Sequence, residues 1–192
     1  MLWALIGVLI ALAALLAVAA TLVSTGALPL DTGWGRRVRS LGPLVVHIEA
    51  PREIVFDVAA APYASANPPR ALREKVTVLE RGEGMVVAAH RTKAALVTSV
   101  TVESVTLERP GRIGFRLLRG PVPHVVEHFE LRERDGGTEL AYAGELGSDF
   151  WWPGSLWGRI VAGHWERAVD KSLQQIKDSA EQVAQRRASR GA

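Results

Sequence analysis

The sequence predicts an α+β protein: an antiparallel sheet of about seven strands against one long C-terminal helix, preceded by an apolar helix long enough to cross a membrane. Three observations carry this prediction. Residues 2–23 are almost entirely Leu, Ala, Val and Ile. Residues 75–146 alternate apolar and polar side chains in short runs closed by Gly and Pro, the pattern of strands joined by tight turns. Residues 153–187 repeat apolar side chains every three or four positions, the spacing of a helix with one buried stripe.

The 192 residues leave room for one ordinary domain and a short extra segment. No side chain from Met1 to Leu30 is charged, and 22 residues at about 1.5 Å each make a helix of about 33 Å, against a hydrocarbon core of about 30 Å. A cleavable secretory signal is the competing reading, with Ala17-Val18-Ala19 as its small-x-small site. No Lys or Arg precedes the apolar run, however, and the run exceeds the usual signal core of roughly 7 to 15 residues. Residues 1–26 are therefore expected to be a transmembrane anchor. Arg36, Arg37 and Arg39 follow it, so the positive-inside rule places the rest of the chain in the cytoplasm.

Residues 27–42 are expected to form a linker, 43–185 the folded domain and 186–192 a basic tail. With 23 Lys and Arg against 20 Asp and Glu, the charge balance is too even for a nucleic-acid binder. The absence of cysteine excludes disulfides, thiolate metal sites and cysteine nucleophiles.

In the domain, "LVVHIEA" (44–50) alternates as a strand, and Pro51 opens a short helix with Ile54, Val55 and Val58 on one side. Prolines 62, 68 and 69 limit it and leave room for a second short helix. Six strands follow, turning at Arg81-Gly82-Glu83-Gly84, Pro110-Gly111, Gly120-Pro121 and Asp135-Gly136-Gly137. In the last helix, Trp157, Val161, Trp165, Val169, Leu173, Ile176, Ala180 and Val183 form the stripe that lies on the sheet.

This order resembles the helix-grip fold of the START-like (SRPBCC, polyketide cyclase/dehydrase-like) superfamily. "VHIEAPREIVFDVAAAPY" is similar to that family's opening strand and helix, "LERPGRIGF" to its strand and Pro turn, and "HFELRERDGGTEL" to its penultimate hairpin. The resemblance covers roughly residues 43–184, through scaffold motifs. It implies a sheet curved around the long helix, with a cavity between them for lipids, polyketides or other apolar ligands. Members of the superfamily include both enzymes and carriers, so fold does not choose between them.

His124-Val-Val-Glu127-His128 matches the H-x-x-E-H of inverted zinc proteases. On a strand the two histidine backbones stand about 13 Å apart, too far to share one zinc, so no metal site is expected. The same alternation sets Val125, Glu127, Phe129 and Leu131 on one face, with Glu127 inward and its pKa raised. Glu127 and Tyr142 are the expected polar contacts of a ligand, with Phe115, Phe129 and His90 beside them. Of neighbours His90 and Arg91, only one can face inward. Trp151 and Trp152 are expected to precede the last helix at the cavity mouth, one turned inward and the other outward. Trp157 is expected in the core.

The expected function is binding of a hydrophobic small molecule or lipid by a membrane-tethered domain, with no cofactor and no nucleic acid. A cyclase or dehydratase using acid and base residues, and a protein-interaction module with a filled core, are the alternatives.

Overall fold

A computed structural model of the protein describes residues 1–65, 68–94 and 97–191. Helix α1 (Leu2–Ser24) is followed by strand β1 (Arg37–Ile48), helices α2 (Arg52–Ala64) and α3 (Arg70–Lys75), and strands β2 (Val76–Arg81), β3 (Met85–Ala94), β4 (Val97–Glu108), β5 (Arg112–Arg119), β6 (His124–Arg134) and β7 (Gly137–Ser148). Helix α4 (Trp151–Gly191) closes the chain. The strands form one antiparallel sheet in the order β1-β7-β6-β5-β4-β3-β2, so the meander of consecutive hairpins is completed by β1 pairing with β7. This is the helix-grip arrangement.

Side chains of α2, α4 and one face of the sheet make the core, with Ile48, Val55, Val105, Ile113, Leu140, Leu146, Leu173 and Ala180 fully or almost fully buried. Strand β6 shows why the sheet has this inside. Val125, Glu127, Phe129 and Leu131 are buried while the residues between them are half-exposed, as period-2 geometry requires.

Three boundaries differ from the expectation. The first strand begins at Arg37, because Arg37 to Leu41 pair with Ser148 to Gly144 in a stretch that reads from sequence as linker. A register shift between Leu41 and Leu44 then separates two paired segments. Gly42 sits in this bulge with φ +73°, where a Cβ would lie 2.8 Å from the Tyr142 carbonyl oxygen, and its N–H donates to Glu166 of α4 at 2.9 Å. Helix α4 begins at Trp151, two residues before Pro153, and runs to Gly191, beyond the expected end near Arg187.

The residues after α1 are fastened to the domain. Thr25 O accepts from Val100 N at 3.0 Å, and Gly26 is buried beside Val100 and Gly120. Asp149 accepts from Thr32 N at 2.8 Å, Thr32 Oγ1 at 3.0 Å, Gly33 N at 2.8 Å and Arg36 Nε at 2.7 Å. These bonds hold the Asp149 carboxyl far below the usual carboxylate range, with Arg36 the largest cause. Phe150 N and Trp151 N donate to Trp34 O at 2.7 Å and Gly35 O at 3.0 Å.

Close packing makes one glycine decisive. Gly144 on β7 lies opposite Glu127 on β6, and an added Cβ would meet Glu127 Cβ at 2.5 Å and Val126 O at 2.7 Å. Gly144→Ala is expected to cost about 1–3 kcal/mol by overpacking, read as a lowered thermal midpoint.

Candidate functional site

Alternation along β3, β4, β6 and β7 carries four polar side chains, His90, Glu103, Glu127 and Tyr142, to the concave inner face. They form two linked groups. In the first, Glu127 is buried with 8 % exposure and its Oε2 accepts from Tyr142 OH at 2.6 Å and from Trp165 Nε1 of α4 at 2.6 Å. Burial pushes the Glu127 carboxyl up, the charge of Glu103 pushes it further, and the two hydrogen bonds and His90 only partly offset this. Its pKa lies at about 7.

In the second group, His90 Nδ1 lies 2.9 Å from Glu103 Oε2, and His90 Nε2 lies 3.1 Å from Tyr63 OH. Thr101 Oγ1 donates to Glu103 Oε1 at 2.7 Å. With Nδ1–H donating to Glu103, the neutral ring accepts the Tyr63 hydroxyl at Nε2. Burial works to lower the His90 pKa, but the charge and hydrogen bond of Glu103 outweigh it, and the net direction is up. Burial also raises the phenol pKa values of Tyr63 and Tyr142, with Glu103 adding at Tyr63 and Glu127 at Tyr142.

Edge-to-face rings connect the groups. Tyr63 and Phe115 centroids are 6.0 Å apart, Phe115 and Phe129 5.4 Å, and Phe129 and Tyr142 6.0 Å. Each such contact is worth about 0.5–1.5 kcal/mol beyond burial, so the rings form a firm floor between the two carboxylates.

The structure thus brings together Glu127, Tyr142, Phe115, Phe129 and His90, and turns Arg91 outward, where Nη1 donates to Thr77 Oγ1 at 2.7 Å. His124 and His128 lie on the face opposite Glu127, and His124 Nε2 is 2.9 Å from Glu145 Oε1. Trp151 and Trp152 require correction. Both lie at the surface, 44 % and 72 % exposed, and Trp151 packs against Trp34 at 4.5 Å. The reason is local. Phe150 and Trp151 adopt φ of +69° and +49°, and this left-handed turn swings the start of α4 away from the interior. Trp157 is half-buried and donates through Nε1 to Pro121 O at 2.8 Å.

Sequence reasoning missed Tyr63, Thr101 and Glu103. "TVESVTLE" carries the signal for two of them, since Thr101, Glu103 and Val105 share one face by alternation. Two surface clefts of about 440 and 400 Å³ lie elsewhere, the first beside Arg37 and Arg159 and the second beside Arg52 and Glu133. Neither is lined by His90 or Glu127.

Trp165 tests the electrostatics. Trp165→Phe keeps an aromatic ring at this place but removes one donor to the carboxylate, so the Glu127 pKa is expected to rise, as read by carboxyl ¹³C chemical shifts against pH.

Fold and interior together define a helix-grip protein with ionisable groups enclosed between sheet and helix. The chain belongs to the polyketide cyclase/dehydrase and lipid transport family, whose family model matches residues 44–181. Comparison with curated proteins gives no match. Among solved structures, the Zhui aromatase/cyclase from Streptomyces sp. R1128 is 22 % identical with a TM-score of 0.60, the match covering 76 % of this chain and 94 % of that one. TTHA0849 from Thermus thermophilus is 15 % identical with a TM-score of 0.55, covering 78 % and 97 %. The di-domain ARO/CYC BexL from the BE-7585A biosynthetic pathway is 19 % identical with a TM-score of 0.54, covering 78 % of this chain and 50 % of that one. At these identities the likeness concerns the fold.

Proposed function

We propose that the protein binds an apolar small molecule or lipid between its sheet and α4, with the Glu127 carboxyl as the polar contact that orients it. The observation that carries this reading is Glu127 itself. A carboxyl buried among Phe115, Phe129 and Val125, with a pKa of about 7, costs the fold stability, and its proton can be given to or withheld from a ligand oxygen at neutral pH. Apolar burial at about 25 cal/mol per Å² supplies the affinity, and Tyr142 and Trp165 fix the carboxyl's direction. The half-buried Trp157, Trp165 and Val169 of α4 border the interior, and the ligand enters as they part from the sheet.

In this reading α1 spans a bilayer, its 22-residue stretch Trp3–Ser24 having a mean hydropathy of 2.8, and the domain faces the cytoplasm beside Arg36, Arg37 and Arg39. The anchor keeps the domain close to a membrane-dissolved ligand.

A second reading is favoured by His90. Its imidazole, oriented by Glu103 and Tyr63 in the same interior as Glu127, supplies the base that would pair with a carboxylic acid in a cyclase or dehydratase. One experiment separates the two. Native mass spectrometry of the detergent-solubilised chain is expected to find a co-purified apolar ligand, and repeated absence of any ligand would remove the binding reading. With the ligand in hand, Glu127→Gln keeps most binding in a carrier but abolishes turnover in an enzyme.

A further inference from the structure

The first turns of α4 carry a second apolar stripe on the side away from the sheet. Trp152, Leu156 and Ile160 recur every four residues and are 72 %, 52 % and 49 % exposed. Trp34, 63 % exposed, extends the surface through its edge contacts with Trp151 at 4.5 Å and Phe150 at 6.4 Å. So large a set of exposed rings and aliphatic side chains marks an interaction face.

Beside it runs the larger surface cleft, about 440 Å³, formed where β1, the end of β7 and α4 meet. Arg37, Arg39, Arg159, Ser40, Ser148 and Ser155 line it together with Val38, and among the described residues no acidic side chain does. Arg36, by contrast, is engaged with Asp149 and Asp31. The cleft therefore offers three guanidinium groups to an anion, next to rings that favour a lipid interface.

Position decides the partner. The chain leaves α1 at Ser24, and Trp34 is ten residues further on, so the rings lie within about 35 Å of the helix end even along a fully extended path. Between them Leu28 and Leu30 are also exposed, 42 % and 41 %. We propose that this face lies on the bilayer that α1 enters, with Trp34, Trp152, Leu156 and Ile160 in the headgroup region and the arginine cleft holding the phosphate of an anionic phospholipid. The inference rests on the reading of α1 as a membrane span and adds a second, lipid-selective contact to it.

Because the chain has no cysteine, single labels are unambiguous. Full-length Leu156→Cys and, separately, Ala11→Cys are spin-labelled in nanodiscs of phosphatidylcholine alone or with added phosphatidylglycerol, and depth is read from collisions with oxygen and a polar nickel complex. The Leu156 label is expected to be immersed with phosphatidylglycerol and more water-exposed without it. Each arginine is worth roughly fivefold at an anionic surface, so Arg37, Arg39 and Arg159 all replaced by alanine should shift the balance toward the undocked state by roughly a hundredfold.

A water-exposed Leu156 label in both lipids would overturn the inference while an immersed Ala11 label left the span intact. A water-exposed Ala11 label would remove the span instead, and the Leu156 label would still decide whether the face docks. Immersion that ignores both phosphatidylglycerol and the arginines overturns the anionic-lipid cleft. Dipolar broadening between Leu156 labels without lipid immersion identifies a second copy of the chain as the occupant and overturns the proposal.

Discussion

Asp149→Ala is expected to lower the thermal midpoint of the domain by roughly 6–12 °C. The carboxylate is 1 % exposed and gathers donors from Thr32, Gly33 and Arg36, which are more than a hundred residues away in sequence. Removing it leaves the Arg36 guanidinium, 27 % exposed, without its principal partner and releases two backbone N–H groups. The cost is about 3 kcal/mol, at the low end for a broken buried pair because water reaches the freed donors, and each kcal/mol moves the midpoint by about 2–4 °C in a domain of this size. Since the Asp149 pKa is depressed, its contribution is complete above the ordinary value of 3.8 and fades only as pH falls below it. Trypsin provides an independent reading, because cleavage after Arg36 and Arg37 should accelerate only in the variant. An unchanged midpoint and digestion pattern would show that the linker is not held by Asp149.

The second large effect is on pH dependence. The folded-state pKa of Glu127 is raised from 4.5 to about 7, so folding favours its protonated form. Its contribution is fully present below pH 4.5 and is lost as pH rises through 7, a change of about 3 kcal/mol. Glu127→Gln keeps an oxygen to accept from Tyr142 or Trp165 and carries no charge. Thermal midpoints of the parent should therefore fall between pH 5 and 8, while those of the variant fall much less and exceed the parent's at pH 8. His90, whose pKa is also raised, loses its contribution in the same direction and leaves a residual slope in the variant. A parent midpoint that is flat across this range would contradict the burial and charge environment assigned to Glu127.

Much of the fold was legible because period-2 alternation and Gly or Pro turns are local signals, and β6 shows them without interruption from Val125 to Leu131. The same alternation found Glu127. It could not rank His90 against Arg91, since Ala88 and Ala89 before them are equally small and give no preferred face. Glu103 escaped for a related reason: among Thr, Ser and Val, a glutamate reads as solvent-facing until its partners, His90 and Thr101, are known. Tyr63 follows Pro62, which reads from sequence as a helix limit but lies inside the last turn of α2, and nothing local says that this turn reaches His90. The error at Trp151 and Trp152 arose from the backbone. Two consecutive aromatic residues at positive φ have no sequence signature, because glycine and asparagine are the usual occupants of that region.

The clamped linker has a mechanical consequence. A free tether between Ser24 and Arg37 would let the domain range over roughly 20 Å. With Thr25 bonded to Val100, and Thr32 and Gly33 bonded to Asp149, that slack is gone. With α1 in a bilayer, a tilt of the helix becomes a tilt of the sheet, so the docked and undocked positions of the α4 face would differ by a tilt of the whole unit. On the proposed reading, a protein so tethered would meet its ligand by lateral diffusion along one membrane.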